Sequence, residues 1–504
     1  MIKIKNLFSA IIFSVLCLPV AAQNVHVHGT VAGIKDGTPV LLMLSDGRSA
    51  TSIAYDSIRD GAFSLKATVE DGLSVGEVLF NDKSVPPIMG REFYLAPGAD
   101  IEVTFSGLKE LRTYPIKSNV PEQAESDRFI DKSRRQHEEV VELFLSGLSH
   151  EETKERRDSI SAIIMANDIE LLSEMPLSEV WIDELSELAY SNSFKIKTGD
   201  YSNLDELRKL YERIPDYLCD DTRIERIKTF LYPPKTVEIG DDYADGAMFD
   251  LEGNPHSLSE FAGKWILLDF WSRGCYPCIM ALPDLEAFSQ VHPDDVAVVS
   301  ISSDETEAWK DASKHHNLTW HNWCDGKMDA GIYALYGCEA IPTFVLISPE
   351  GKVADKWAGF GPGQFERKLQ SQIYKRKSPV YTKQKGRFSA EYPRCENNAT
   401  NNLLQISKIE NTDKGLTLFF DAYSSPKYWM KIAPEARIQT PDGNRYKVIA
   451  TEGITLGEEY YVGQDGHGAF SITFEPVPAE TAVLDFYESE NPSDFHITGI
   501  RLTE

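Results

Sequence analysis

Cys275 and Cys278 stand three positions apart around Tyr276-Pro277. Two thiols at that spacing can close a disulfide with each other or hold half of a zinc site. Just before them, Trp265-Ile266-Leu267-Leu268-Asp269-Phe270-Trp271 has the near-continuous apolar character of a buried strand, and Ile279 to Phe288 just after has helical spacing. The pair therefore falls where a strand turns into a helix. Unpaired N–H groups and the positive dipole end at such a position stabilise a thiolate, which makes Cys275 the expected nucleophile. Cys278, one turn on, is expected to be less exposed and to act as the resolving thiol. Such a dithiol can attack a substrate disulfide, pass through a mixed disulfide, and release reduced substrate as Cys275–Cys278 closes; the reverse cycle oxidises a substrate. A zinc site would need two further ligands, and no second close Cys or Cys-His pair is present. An inert structural disulfide is the other alternative.

The elements around this pair belong to a longer, multi-domain chain. Its 504 residues correspond to about three domains of ordinary size. At 42% hydrophobic, 26% charged and 11% aromatic, the composition is that of globular protein rather than a disordered chain. Residues 24–110 carry short alternating stretches, such as Val25-His26-Val27-His28 and Ile101-Glu102-Val103-Thr104-Phe105, separated by turns, and predict a small N-terminal β domain. Residues 119–232 change to helical spacing with dense charge, a helical connector that Pro233 and Pro234 end. Residues 236–376 alternate strands with helices, the pattern of an α/β sheet wrapped by crossover helices. Residues 380–504, with apolar runs Leu416 to Phe420, Ile472 to Phe474 and Val483 to Tyr487, predict a C-terminal β-sandwich-like domain.

Residues 1–22 predict a cleaved signal peptide. Lys3 and Lys5 precede an apolar run from Leu7 to Leu18, and the small residues Ala21-Ala22 follow. That run is about 12 residues, short of the roughly 20 that cross a bilayer. Leu16 before Cys17 is too large for the usual lipoprotein cleavage site. No transmembrane segment is expected in the mature chain, which should pass the inner membrane into the periplasm, an oxidising compartment. With 51 basic residues against 78 acidic, the net charge of −27 repels phosphate backbones, so nucleic acid is not an expected partner.

From about Val237 to Tyr374 the chain resembles the thioredoxin superfamily, and within it the secreted TlpA-like thiol-disulfide interchange proteins. The Asp269-Phe270-Trp271 strand leads to the first cysteine, Pro283 follows the second by five positions, and Ile341-Pro342-Thr343 looks like the family's cis-proline loop. Upstream, Gly240, Asp250-Leu251-Glu252-Gly253 and Ser257 to Lys264 resemble the TlpA-like lead-in hairpin and its lysine-bearing turn. The resemblance implies a thioredoxin-like α/β domain with Cys275 and Cys278 as the catalytic pair. It also implies that Asp269 is the buried carboxylate beneath them, carrying the proton as Cys278 attacks. Ile341, Pro342 and Thr343, with Tyr276, Pro277 and Trp271, would form the substrate-docking surface. No cofactor is implied beyond the redox-active disulfide. Pro277 is shared with reducing members more than with strong oxidants. Gly274 replaces the usual tryptophan before the first cysteine, and Ile279 the usual basic residue after the second. Asp56-Ser57-Ile58 and Asp60-Gly61-Ala62-Phe63 resemble, more weakly, the β domain often placed ahead of such modules.

The other cysteines and the histidines are less decisive. Cys324 and Cys338 flank a short helical stretch and either form a structural disulfide worth about 3 kcal/mol, closing a loop of about 15 residues, or each stand as a buried free thiol. Cys219 and Cys395 could pair across domains. His315, His316, His321 and Cys324 lie beside Trp320 and Trp323, as on a partly buried amphipathic surface, and no metal is expected there. His26 and His28 face one side of a strand and are expected to be solvated.

The function expected from these readings is thiol-disulfide oxidoreduction on protein disulfides of the cell envelope, reducing or isomerising them. A membrane electron-delivery protein is implied by the family. Two alternatives stand beside it. One is a thiol peroxidase of peroxiredoxin type, although Ser272 takes the place of the threonine three residues before the reactive cysteine. The other is a non-catalytic envelope binding or scaffold protein.

Overall fold

A computed structural model describes residues 24–45, 50–81, 88–218, 221–384 and 387–503. The expected signal peptide, Cys17 and Cys219 lie outside the described residues, and with Cys219 goes the suggested Cys219–Cys395 bridge. The chain forms two compact units, Met1–Leu231 and Tyr232–Glu504. Among the described residues no helix is long and apolar enough to cross a membrane.

The first unit holds two four-stranded sheets and a set of helices around one core. One sheet runs Ala62–Ala67, Val25–Val31, Asp100–Phe105, Ile116–Ser118, and the other runs Ala50–Ser57, Pro39–Ser45, Ser74–Phe80, Ile88–Leu95. The last strand of the first sheet thus lies beyond residue 110. Strict alternation drives this arrangement: Val25, Val27 and Val31 are buried while His26, His28 and Thr30 face outward. Helices follow from Pro121 to Leu231. Pro121 opens the first of them, and a Ser149/Glu152 capping box opens the long helix His150–Glu174. Trp181, fully buried, donates its indole N–H to the Leu172 carbonyl and ties two of these helices together.

The second unit begins with a seven-stranded sheet in the order Pro255–His256, Met248–Phe249, His321–Cys324, Val296–Ser302, Trp265–Trp271, Thr343–Ile347, Val353–Ala358. Trp265–Trp271 is central, parallel to Val296–Ser302 and antiparallel to Thr343–Ile347, and every residue in it is buried. Its alternating faces feed two cores. Ile266, Leu268 and Phe270 pack with Val299, Ile301 and Tyr333, whereas Trp265 and Leu267 pack beneath helix Tyr276–Val291 against Ala281, Leu282 and Leu285.

The C-terminal strands differ from a simple pair of stacked sheets. Ten strands form one hydrogen-bonded run, and Arg445–Glu452 is its corner: Arg445–Lys447 pair with Arg437–Gln439, while Val448 to Glu452 pair with Ser471 to Phe474, with a register shift between Val448 and Ala450. A strand that changes partners at an irregularity lets the sheet fold round one core, here built from Leu418, Phe420, Ile438, Phe470, Phe474 and Phe486. This β region is fastened to the sheet-and-helix region by a hydrogen bond from Tyr374 to Asp421. Gly363, at φ 68°, lies so close to the Ser424-Ser425 backbone that a Cβ there would stand 2.2 Å from the Ser425 nitrogen.

Candidate active site

Cys275 is the N-cap residue of helix Tyr276–Val291, with Pro277 in the first turn and Pro283 inside the helix. The Cys278 N–H donates to the Cys275 sulfur at 3.2 Å. One of the orphan donors of the helix start is thus spent on sulfur, and it would stabilise a thiolate there when the pair is reduced. In the structure the two cysteines are joined as a disulfide, with Cα atoms 5.2 Å apart. Cys275 is 9% exposed and Cys278 only 1%, so the first sulfur is the more accessible.

The loop before the helix is held from the neighbouring strand. The Arg273 N–H donates to the Asp304 carboxylate at 2.8 Å, the Ser302 hydroxyl donates to the same oxygen, and the Cys275 N–H donates to the Ser272 carbonyl. Tyr333, fully buried, places its hydroxyl 2.7 Å from the Trp271 carbonyl and 2.9 Å from that of Ile301. These contacts set where the strand ends and the helix begins.

Asp269 has no exposed surface and shares a strand face with Leu267 and Trp271, the face that looks toward the cysteine-bearing helix. Its Oδ2 accepts from the Ser300 hydroxyl at 2.7 Å, and Ser300 in turn accepts from the Trp320 indole N–H at 2.8 Å. Its Oδ1 is buried without a hydrogen-bond partner. Burial pushes the carboxyl up to about 7, with the Ser300 hydrogen bond pulling the other way. The group can therefore gain or lose a proton near neutral pH. The sequence carries no sign of Ser300, and it places Trp320 only on an amphipathic surface beside the histidines, not behind Ser300. Ser300 is the register partner of Asp269 in the adjacent parallel strand, a relation that only the strand pairing reveals.

The residues expected to dock substrate separate into two groups. Tyr276 is 73% exposed, Pro277 is exposed, and Ile341 is half-buried against the cluster holding the cysteines. The Ile341–Pro342 bond is cis. Trp271 needs correction: it is fully buried, packed with Cys275, Cys278 and Trp309. It is a wall behind the pair and presents no docking surface. Thr343 is also buried, its hydroxyl donating to the Ala340 carbonyl.

The suggested Cys324–Cys338 disulfide is likewise corrected, for both residues remain thiols. Cys324 ends the strand His321–Cys324 inside the cluster that contains Trp271 and the cysteine pair, with its sulfur 3.5 Å from the Asp304 carbonyl and accepting from the Gly326 N–H. Cys338 packs instead on the opposite core with Tyr333 and Tyr336. The helix between them, Gly331–Leu335, delivers the two sulfurs to different sides. Burial pushes the Cys324 thiol up to about 12, so it is no rival nucleophile.

A central strand running into a helix capped by a reactive cysteine, with a cis-proline beside it, defines a thioredoxin-like oxidoreductase. The AhpC/TSA family profile matches residues 239–356. Thiol-disulfide oxidoreductase ResA of Bacillus cereus is 31% identical over 125 residues, which is 24% of this chain and 71% of that protein. Thioredoxin-like protein YneN of Bacillus subtilis is 30% identical over 137 residues, 25% of this chain and 77% of that protein. Among solved structures, the thioredoxin domain of a thiol-disulfide oxidoreductase from Bacteroides vulgatus matches at 27% identity and TM-score 0.25, covering 28% of this chain and 98% of that one. The chain belongs to the thioredoxin superfamily as a TlpA-like thiol-disulfide oxidoreductase.

Proposed function

We propose that this oxidoreductase acts on protein disulfides in the cell envelope, reducing or isomerising them, with Cys275 as the attacking thiolate and Cys278 as the resolving thiol. The observation that carries the reading is the Cys278 N–H aimed at the Cys275 sulfur, which favours negative charge on that sulfur alone. Attack of Cys275 on a substrate disulfide forms a Cys275–substrate disulfide and expels one substrate thiolate. Asp269 then takes the Cys278 proton, Cys278 attacks the Cys275 sulfur, and the second substrate thiol leaves as Cys275–Cys278 closes. Two electrons and two protons have passed to the substrate, so each cycle needs a dithiol donor. A membrane electron-delivery protein meets that need in an oxidising compartment. Exposed Tyr276 and Pro277, with the half-buried Ile341 that packs against the cysteine cluster ahead of the buried Pro342, are the proposed docking surface, to which an extended substrate segment adds as a strand. The apolar run Leu7 to Leu18 supports delivery to the periplasm.

Trapping tests the reading. Cys278→Ser in the full chain should accumulate mixed disulfides with envelope proteins through Cys275, and adding Cys275→Ser should abolish them. Absence of adducts from the single variant would contradict the proposal. Rapid consumption of hydrogen peroxide by the reduced chain, with no disulfide exchange, would favour the peroxidase chemistry of the AhpC/TSA family.

A further inference from the structure

In the first unit, His26 and His28 lie on the outward face of strand Val25–Val31, and the parallel strand Asp100–Phe105 beside it pairs His26 with Asp100 and His28 with Glu102. The structure adds to that strand face a convergence on one oxygen. Asp100 Oδ1 stands 3.1 Å from His26 Nδ1 and 3.5 Å from His28 Nε2, with all three ligand atoms within 4.8 Å of one another. Zinc-to-ligand bonds of about 2.0–2.1 Å arranged tetrahedrally put neighbouring donors roughly 3.3 Å apart, so two of the three separations already match a tetrahedral edge. The imidazoles stack with centroids 4.6 Å apart, aligned on one side of the strand.

We propose that His26, His28 and Asp100 form a site for a divalent cation of the zinc class, with these three residues as ligands and water in the fourth position. The far nitrogen of His26, Nε2, stands 3.0 Å from the Ser64 hydroxyl on the third strand, Ala62–Ala67. When Ser64 accepts from Nε2–H, the tautomer is set and the Nδ1 lone pair is left facing the carboxylate, the outer-shell arrangement usual for metal-binding histidines. In that tautomer the cation takes the place that a proton on His26 Nδ1 fills in the metal-free hydrogen bond to Asp100. All four groups sit on paired strands, which hold them more rigidly than loops would. Of the charged groups on this face, Glu102 and Lys117 pair with each other at 3.1 Å, while Lys66, the register partner of His26, opposes a cation. The acidic chain as a whole favours one, with its net charge of −27.

The test is isothermal titration of zinc chloride into the full chain, with the Cys275–Cys278 disulfide intact and accessible thiols blocked. The expected result is about one equivalent bound at a saturable site. His28→Ala and Asp100→Asn should each lose it or weaken it by at least about 100-fold, and Ser64→Ala by about 10-fold, as outer-shell losses do. His26, His28 and Asp100 are each partly or fully exposed, and circular dichroism verifies that the variants remain folded. Cobalt(II) supplies a second readout, since a tetrahedral site gives intense visible absorption that the His28→Ala variant should lack. Failure of the wild-type chain to bind zinc, or equal uptake by wild type, His28→Ala and Asp100→Asn, overturns the site.

Discussion

The Ser300 hydroxyl donates to Asp269 Oδ2 at 2.7 Å from the strand next door, and the Trp320 indole N–H holds Ser300 from behind at 2.8 Å. A fully buried carboxyl is thus oriented from one side only, with its second oxygen left without a partner. The arrangement keeps ionisation costly but reachable, as a proton carrier beneath a dithiol requires.

Replacing Ser300 by alanine removes the hydrogen bond that favours the Asp269 carboxylate, so the carboxyl should rise further above about 7. The pH midpoint for resolution of a mixed disulfide should move upward in Ser300→Ala, while attack by Cys275 keeps its own profile. Rapid-quench rates from pH 5.5 to 9 would measure both steps. The variant should also lose about 1–3 kcal/mol of stability from the buried polar atoms left unpaired.

Asp269 also makes stability depend on pH. Its folded value of about 7 lies above the ordinary 3.8, so between those values the folded chain holds a proton that the unfolded chain has released. Its contribution to stability therefore falls as pH rises through that window, and the full cost is present above it. Asp269→Asn should match wild type near pH 4 and exceed it near pH 8 by up to about 4 kcal/mol. Urea unfolding at the two pH values measures the difference, and loss of proton transfer should accompany the gain.

Much of this site is legible in the sequence because its signals are local. A fully apolar strand, two cysteines three positions apart and a helical run follow one another without interruption, and the proline loop is a short motif. What depends on strand register is not legible. Ser300 meets Asp269 only because Trp265–Trp271 and Val296–Ser302 run parallel in one particular alignment. The same alternation turns Trp271 inward with Asp269, which removes it from the docking surface that its position in the motif suggested. The spacing of Cys324 and Cys338 allows a bridge, but Cys324 is buried in the cluster around the cysteine pair while the half-buried Cys338 packs against the core on the other side of the sheet. In the C-terminal β region, one corner strand joins ten strands into a single run, and a list of apolar stretches does not show which strand turns.

Cys324→Ala should leave the behaviour of the Cys275–Cys278 couple unchanged. In the wild-type chain, the Cys324 thiol should stay unreactive toward a thiol reagent until the protein unfolds, because burial holds it at about 12. Mass spectrometry of alkylated peptides, with and without denaturant, decides the point.

Gly363→Ala should loosen the join between the sheet-and-helix region and the C-terminal β region. The added methyl would collide with backbone at Ser424-Ser425, and φ is 68° at that position. A loss of about 2 kcal/mol or more is expected, since neither backbone can yield without breaking local hydrogen bonds. Faster proteolysis in the C-terminal β region, with the active-site disulfide still exchanging, would be its signature.

Everything proposed for this site requires Cys275 and Cys278 to form a working redox couple in the intact chain. Thiol trapping across a dithiol buffer series measures it directly. The expected result is a single two-electron transition with a midpoint near thioredoxin's roughly −270 mV, the poise of a reductant that needs an electron donor. A midpoint near roughly −120 mV would contradict the reducing role, and a pair that never titrates would contradict catalysis by this disulfide altogether.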